Sequence, residues 1–285
     1  MGLRKRTSRF QLKNEAQIRK MRAAGLVVAD TLAKIAAAVA PGITTAELDA
    51  IAERNIRSSG AVPSFKGYHG FPGSICASVN EEIVHGIPSP DKVLREGDII
   101  SLDCGAIVGG WHGDAAVTVG VGEISDEDRR LLAVCEASLW HGIAAFRQGN
   151  RLGDIGHAVD GYIRSQGRYG NVEGYGGHGI GTEMHMDPFV ANRGKRGDGP
   201  PLVSGMCLAI EPMVNLGTRH TEVLADHWTV VTQDGRRSAH FEHSVALTPD
   251  GPLVLTAADG GQAGLAALTG QVNAVASPAR KGDGS

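Results

Sequence analysis

The chain has 285 residues, 42% of them hydrophobic, which is enough apolar material for one large domain or two fused halves. Its net charge of −3 argues against strong electrostatic capture of nucleic acid or of an anionic membrane. No apolar stretch follows the basic N-terminus and no later run is long enough to span a bilayer, so we expect neither a secretory signal nor a membrane span. The cysteines are scattered without a CxxC pair, which predicts reduced thiols in a cytoplasmic protein: Cys76, Cys104, Cys135 and Cys207.

Four helices are predicted, in two pairs. They are expected at residues 14–40, 44–60, 125–149 and 154–167. The first shows apolar residues at helical spacing and is stopped by Pro41-Gly42, and the second opens with a capping box formed by Thr44 and Glu47. Ser125 followed by acids is the corresponding start signal of the third helix.

The two helix pairs indicate an internal duplication. Segments 41–60 and 148–167 align without gaps and share 5 identities in 20 positions, including the Ile-Arg-Ser triplets at 56–58 and 163–165. In both cases a long helix precedes the segment and strand-like sequence follows it. We therefore expect two similar α+β halves joined near residues 120–125, with a cleft at the joint suited to an active site.

Strand-like runs follow each helix pair. They are "DIISLDCGAIV" (98–108), "WHGDAAVTVGV" (111–121), "MCLAIEPMVN" (206–215), "HWTVVTQ" (227–233) and "RSAHFEHSVALT" (237–248). The segment 257–285 is rich in Gly, Ala and small polar residues, which predicts a flexible tail. Residues 264–275 within it have the pattern of a short helix.

The first two strand-like runs carry two acids, Asp103 and Asp114, on either side of a tight turn. A two-residue turn at Val108-Gly109 would place the acids directly opposite each other, and any loop with an even residue count would keep them on one face. Like charges across an antiparallel pair are destabilising. Either one acid points to solvent, or a cation lies between the two.

More candidate ligands lie on apolar or glycine-framed segments: His178, His185, Glu211 and Glu242. Each has an ordinary interpretation, since Glu211 could be salt-bridged and His178 could be a hydrogen-bonded core histidine. Burying a carboxylate without a partner is costly, however, and four acids with one imidazole form an oxygen-rich ligand set. Such a set suits Mn, Fe, Co or Zn better than Ca, and its lack of sulfur argues against a structural zinc. Two such ions could share a water molecule and promote hydrolysis.

Five segments between residues 18 and 255 resemble type I methionine aminopeptidases of the M24 family. They are "SICASVNEEIVHGIP" (74–88), "DIISLDCGAIVGGWHGD" (98–114), "GYGGHGIGTEMH" (174–185), "GMCLAIEPMVN" (205–215) and "SAHFEHSVALT" (238–248). The resemblance implies the α+β pita-bread fold. In that fold two pseudo-symmetric α/β halves form a central antiparallel sheet, with helices on the outside and a metal site in the middle. It also implies a basic tail at 1–13, a catalytic domain at 14–256 and a flexible tail at 257–285.

The resemblance assigns roles to these residues. The implied ligands of two divalent ions (Co, Mn, Fe, Zn or Ni) are Asp103, Asp114, His178, Glu211 and Glu242, with Asp114 and Glu242 bridging. Glu211 would also carry a proton, His185 would stabilise the oxyanion, and His85 would contact the substrate backbone or amine. The implied methionine pocket consists of Tyr68, Phe71, Cys76, Met184 and Trp228. Ordinary core packing is the alternative interpretation of each.

The implied reaction removes the initiator methionine from nascent polypeptides whose second residue is small, by attack of a metal-bridging hydroxide on the first peptide bond. We therefore expect a cytoplasmic monomer without membrane contact. Three alternatives stay open. A peptidase of the same fold that cleaves before proline would share the ligands but usually adds an N-terminal domain, and a non-catalytic relative would lose ligands. Arg4-Lys5-Arg6 could dock transiently on the ribosome, although a solvated tail is the preferred interpretation of three basic residues.

Overall fold

A computed structural model describes residues 10–275, with side chains described up to residue 268. Within these residues the helices are α1 (Glu15–Ala38), α2 (Thr45–Ser58), α3 (Asp126–Ala145), α4 (Leu152–Gln166) and α5 (Gln262–Val275). None of them is both long and apolar enough to cross a membrane. The basic triplet Arg4-Lys5-Arg6 lies outside the described residues.

The helices begin at the predicted start signals, but helix α3 ends earlier than predicted. The side chain of Thr44 accepts the Glu47 N–H, and the Glu47 carboxylate accepts the Thr44 N–H at 2.8 Å, so the capping box forms. Helix α3 ends at Ala145, four residues before the predicted end at Gly149. Asn150 explains the early end, because its side-chain amide donates to the Ala145 carbonyl at 2.8 Å and closes the helix there.

The strands form one large sheet and two small ones. They are β1 (Val62–Pro63), β2 (Ile75–Val79), β3 (Glu82–Val84), β4 (Ile99–Val108), β5 (Trp111–Gly120), β6 (Gly170–Asn171), β7 (Gly177–Gly179), β8 (Met186–Val190), β9 (Cys207–Ile210), β10 (Met213–Asn215), β11 (Thr221–Val223), β12 (Val230–Thr232), β13 (Ser238–His240), β14 (Glu242–Thr248) and β15 (Gly251–Val254). The large antiparallel sheet has the order β1-β4-β5-β14-β9-β7-β8, with β2 beside β4 and β15 beside β14. The small sheets are β13-β10-β6 and β11-β12-β3.

The helices cover one face of the large sheet. Ile100 and Leu102 of β4 pack with Val28 of α1 and Leu48 of α2 in one apolar cluster, and a second cluster joins α3 and α4 to β9 and β14. Because side chains alternate along a strand, Asp103 points to the opposite face. That face is left for the functional site.

The two halves repeat the same backbone hydrogen bonds. Equivalent bridges join Thr44 to Val93 and Arg151 to Pro201, and equivalent bonds join Gly97 to Val121 and Gly205 to Leu247. Six residues after each of these glycines stands an acid, Asp103 in the first half and Glu211 in the second. The predicted fold class is confirmed: two related α/β halves form a central antiparallel sheet with helices outside.

The predicted turn between the two acidic strands is wrong by one residue. Val108 pairs with Trp111, so the turn is Gly109-Gly110, with φ values of +56° and +79°. A two-residue turn of this kind needs a positive φ at both positions, which glycine adopts freely and the β-branched Val108 does not. Asp103 therefore lies opposite Ala116 rather than Asp114. The shift is two residues in register, so both acids still share one face.

The start of the predicted C-terminal tail packs on the domain. Helix α5 covers the residues for which the sequence allowed a short helix, and Leu265 packs against the apolar cluster that contains Leu139 of α3. The division at residue 256 and the flexibility of 257–285 stay predictions. Residues 276–285 lie outside the described part of the chain.

We expect Gly110→Ala to lower the free energy of unfolding by about 1–2 kcal/mol, because alanine is strained at positive φ. Urea unfolding followed by circular dichroism measures the change. The control is Gly161→Ala in the interior of α4, where a Cβ would meet nothing within 4 Å. It should raise the free energy of unfolding by about 0.5–1 kcal/mol. The same sign for both variants would contradict the turn geometry.

Candidate metal centre and active site

A cavity of about 680 Å³ opens on the sheet face opposite the helices. Its lining includes all five residues predicted as metal ligands: Asp103 on β4, Asp114 on β5, His178 on β7, Glu211 just after β9, and Glu242 at the start of β14. The chain thus brings acids from both halves to one place. Their role as ligands is taken up below as a proposal.

Short distances link the imidazole of His178 to the acids. Its Nε2 lies 3.9 Å from Asp114 Oδ2 and 3.7 Å from Glu211 Oε1. One donor atom each from Asp114, His178 and Glu242 lie within 4.8 Å of one another. Ligand atoms that are each about 2.1 Å from a shared ion lie at most about 4.2 Å apart, so this spacing is close to that of a coordination shell.

No cationic side chain of the described residues compensates the acids. Asp103 Oδ1, Asp114 Oδ1 and Glu242 Oε1 are shielded from water and have no hydrogen-bond partner among the described residues. Across residues 10–275, no lysine or arginine forms an ion pair with these acids or with Glu211. Burial raises the pKa of all four carboxyls, that of Asp103 to about 7, and mutual repulsion raises those of Asp114 and Glu242 further. Divalent cations fit this donor set, because they would supply the missing positive charge.

The orientation of His178 leaves a lone pair directed at the acids. Its Nδ1 lies 3.0 Å from the Gly179 carbonyl, which can only accept, so Nδ1 carries the proton and Nε2 is the free acceptor. Burial lowers the pKa of His178 to about 3, which keeps the ring neutral. The strand that carries it lies very close to β9, since a Cβ at Gly177 would come within 2.1 Å of the Ala209 carbonyl oxygen.

Two other predicted histidines lie at the cavity. His185 is exposed at its mouth, with Nδ1 3.0 Å from the Tyr68 hydroxyl, and its ring centroid is 4.4 Å from that of His178. His85 follows β3 in a left-handed conformation with φ +61°, between the rings of Tyr175 and Trp228. Burial lowers the pKa of His85 to about 4, so it is neutral at pH 7.

An apolar pocket lies beside the acids. All five residues predicted to form a methionine pocket line the cavity, with Phe71, Cys76 and Met184 buried and Tyr68 and Trp228 packed against them. The rings of Phe71 and Trp228 are 5.1 Å apart in an edge-on contact. Phe65 completes this cluster and was not predicted, because nothing in its local sequence distinguishes it from an ordinary core residue.

His240 is the second residue that the sequence interpretation missed. It ends β13, is buried, and its Nε2 lies 3.5 Å from Glu211 Oε2. Glu211, His240 and Glu242 form a second group of donors within 4.8 Å of one another. A signal was present, since His240 stands two residues before Glu242 and alternate residues of extended chain share a face.

Residues 19–249 match metallopeptidase family M24. The chain belongs to this family. Among its relatives, "Methionine aminopeptidase 1" of Mycobacterium tuberculosis is 56% identical over 249 residues, covering 86% of this chain and 94% of the relative. The methionine aminopeptidase of Clostridium acetobutylicum is 54% identical over 245 residues, covering 86% of this chain and 98% of the relative.

Solved structures of M24 enzymes share the fold. The methionine aminopeptidase of Thermotoga maritima superposes with a TM-score of 0.85 at 41% identity, over 87% of this chain and 99% of that one. The resemblance to type I methionine aminopeptidases is thereby confirmed. An Xaa-Pro dipeptidase of Bacillus anthracis is 24% identical with a TM-score of 0.70, over 86% of this chain and 62% of that one. That likeness shows the shared fold alone and does not favour the proline-directed alternative.

We expect Glu242→Gln to stabilise the metal-free M24 enzyme by about 1–3 kcal/mol, because the amide is neutral, whereas the buried carboxyl must either stay charged without a partner or take up a proton at neutral pH. The same substitution should reduce the rise in melting temperature that Mn²⁺ produces in the wild type. Differential scanning calorimetry with and without Mn²⁺ measures both effects.

Asp128→Asn is the matched control for this prediction. Asp128 is also buried, but it accepts a hydrogen bond from Arg237 at 2.6 Å. Removing its charge should lower the free energy of unfolding by about 1–3 kcal/mol, with or without Mn²⁺. If Glu242→Gln destabilised the metal-free protein as Asp128→Asn does, Glu242 would have a compensating partner, and this prediction would be wrong.

Proposed function

We propose that this M24 metallopeptidase removes the N-terminal methionine from polypeptides whose second residue is small. The observation that carries the proposal is that two features line the same cavity. One is a group of acids that no cation of the described residues compensates, and the other is a pocket of aromatic and sulfur-containing side chains. Relatives named methionine aminopeptidases, at 41–56% identity over most of the chain, support it.

The residues that would hold two divalent ions are Asp103, Asp114, His178, Glu211 and Glu242. Glu242 belongs to both groups of donors that lie within 4.8 Å of one another, and it and Asp114 would serve both ions, as the resemblance implies. When bound, the ions would polarise the substrate carbonyl and lower the pKa of a water molecule. Mn, Fe, Co, Zn and Ni all suit a mixed oxygen and nitrogen donor set.

The apolar pocket would select the methionine side chain. The methionine side chain is unbranched and flexible, so it can adapt to the shape of an irregular pocket. Its sulfur makes favourable contacts with the edges of aromatic rings. Phe65, Phe71 and Trp228 supply such rings, and Met184 is a flexible wall. The amino terminus of the substrate would help to complete the shell of the bound ions and so set the register of the peptide, while His85 would contact the first residue's backbone or amine.

His185 would stabilise the negative charge that develops on the carbonyl oxygen. The Tyr68 hydroxyl lies 3.0 Å from His185 Nδ1 and would donate its proton to that nitrogen in the tautomer that this role needs. The Nε2 atom of a neutral His185 then carries the proton and donates into the cavity. Glu211 would take a proton from the attacking water and deliver it to the leaving amine.

The natural substrates would be nascent polypeptides, which places the enzyme's activity in the cytoplasm. We propose that it acts there as a monomer. Transient docking on the ribosome would depend on the basic triplet at residues 4–6, which lies outside the described residues.

With Mn²⁺ or Co²⁺ present, we expect Met-Ala-Ser and Met-Gly-Met to be cleaved with a kcat/KM at least about tenfold above Met-Leu-Ser or Met-Lys-Ser, because a larger second side chain must be accommodated. Chromatographic release of free methionine measures the rates. Chelation followed by dialysis should abolish all cleavage, and a divalent ion should restore it. Equal rates for all four peptides, or preferred cleavage of Met-Pro-Ser, would contradict the assigned specificity.

His185→Ala should lower kcat for Met-Ala-Ser by about 10²- to 10³-fold with a smaller change in KM, because the lost donor acts mainly in the transition state. The control is His157→Ala, a substitution on the exposed face of α4, outside the cavity. It should leave kcat unchanged. A kcat for His185→Ala close to that of the control would rule out the oxyanion role.

A further inference from the structure

We infer that His240 is an additional ligand of the metal centre, coordinating through Nε2 an ion that Glu211 and Glu242 also hold. The inference rests on the metal use in the proposed function and goes beyond its five ligands. It gives the centre two imidazoles, His178 facing Glu211 Oε1 and His240 facing Glu211 Oε2.

Burial without a partner is the first observation. His240 is 1% exposed, and neither Nδ1 nor Nε2 has a hydrogen-bond partner among the described residues. A neutral imidazole has one N–H donor and one lone pair, and leaving both unused in the interior is costly. A cation at the lone pair would satisfy the acceptor nitrogen.

The distance to Glu211 is the second observation. Nε2 of His240 lies 3.5 Å from Glu211 Oε2, beyond the range of about 2.7–3.2 Å for a good N–H···O hydrogen bond. Two ligands bound at about 2.1 Å to one ion, at a tetrahedral angle, are about 3.4 Å apart. A carboxylate oxygen of Glu242 belongs to the same group of donors, so three sides of one ion would be occupied.

The backbone holds His240 in a fixed position. The Thr118 hydroxyl accepts the His240 N–H and donates to the His240 carbonyl, both at 2.8 Å, and Ser101 lies 2.8 Å from the same hydroxyl. Met213 pairs with His240 on the neighbouring strand. The backbone that carries the imidazole is thus fixed beside Glu211 and Glu242 before an ion arrives.

Substitution by glutamine separates ligation from hydrogen bonding. Gln at position 240 keeps a donor that could reach Glu211, but its amide is a poor ligand for the transition metals that imidazole binds well. If His240 only oriented Glu211, His240→Gln would preserve the metal centre. If His240 coordinates, the variant loses one imidazole.

The test counts imidazoles on the ion. In the Co²⁺-loaded full-length protein, proton NMR in H₂O and D₂O resolves hyperfine-shifted, exchangeable ring N–H signals. We expect two in the wild type, one in His240→Gln, and two in the control His157→Gln. A single signal in the wild type that persists in His240→Gln would overturn the inference.

A second measurement needs no variant. Anomalous diffraction from Mn²⁺-loaded wild-type crystals should place an ion about 2.1–2.3 Å from His240 Nε2, and a separation beyond about 3 Å would overturn ligation. The proposed function is tested separately, by binding and turnover. A wild-type protein that binds no ion and releases no methionine contradicts the proposed function. A wild-type protein that binds the ion and releases methionine, but has a single imidazole on the ion, contradicts only the role of His240.

Discussion

The burial of mutually repelling carboxyl groups in one cavity is the constraint on which this structure depends. Asp103, Asp114, Glu211 and Glu242 meet where burial raises the pKa of each, and no lysine or arginine of the described residues compensates them. Such a cluster lowers stability unless cations occupy it. The helices on the opposite face of the sheet supply the apolar burial that offsets this cost. The metal-free site is thus locally destabilised, and divalent ions would relieve the repulsion.

The duplication explains why the site lies between the halves. Asp103 and Glu211 occupy equivalent positions, six residues after equivalent glycines, and the pairing of β5 with β14 brings the two halves together. Glu242 lies opposite Ala116 of β5, the same residue that Asp103 faces from β4. Each half supplies two of the four acids at the cavity.

Local patterns predicted much of this architecture. The capping box at Thr44, the strand-like runs and the shared face of Asp103 and Asp114 depend only on neighbouring residues and strand parity. The turn was misplaced because the alternation of side chains along the strands fits more than one turn position. The positive φ values that only glycine adopts freely locate it at Gly109-Gly110. His240 and Phe65 were missed because their surroundings come from strands and loops distant in sequence. Only the assembled sheet shows which side chains share the cavity.

The most direct test of the central claim is a metal titration of the chelated, dialysed protein. Bound Mn²⁺ and methionine released from Met-Ala-Ser are measured in the same samples. Activity should be absent without metal, rise with bound ion, and reach its plateau at no more than about two ions per chain. Full turnover by metal-free protein, or ions that bind without restoring turnover, would contradict the claim that the buried carboxylates exist to hold catalytic metal.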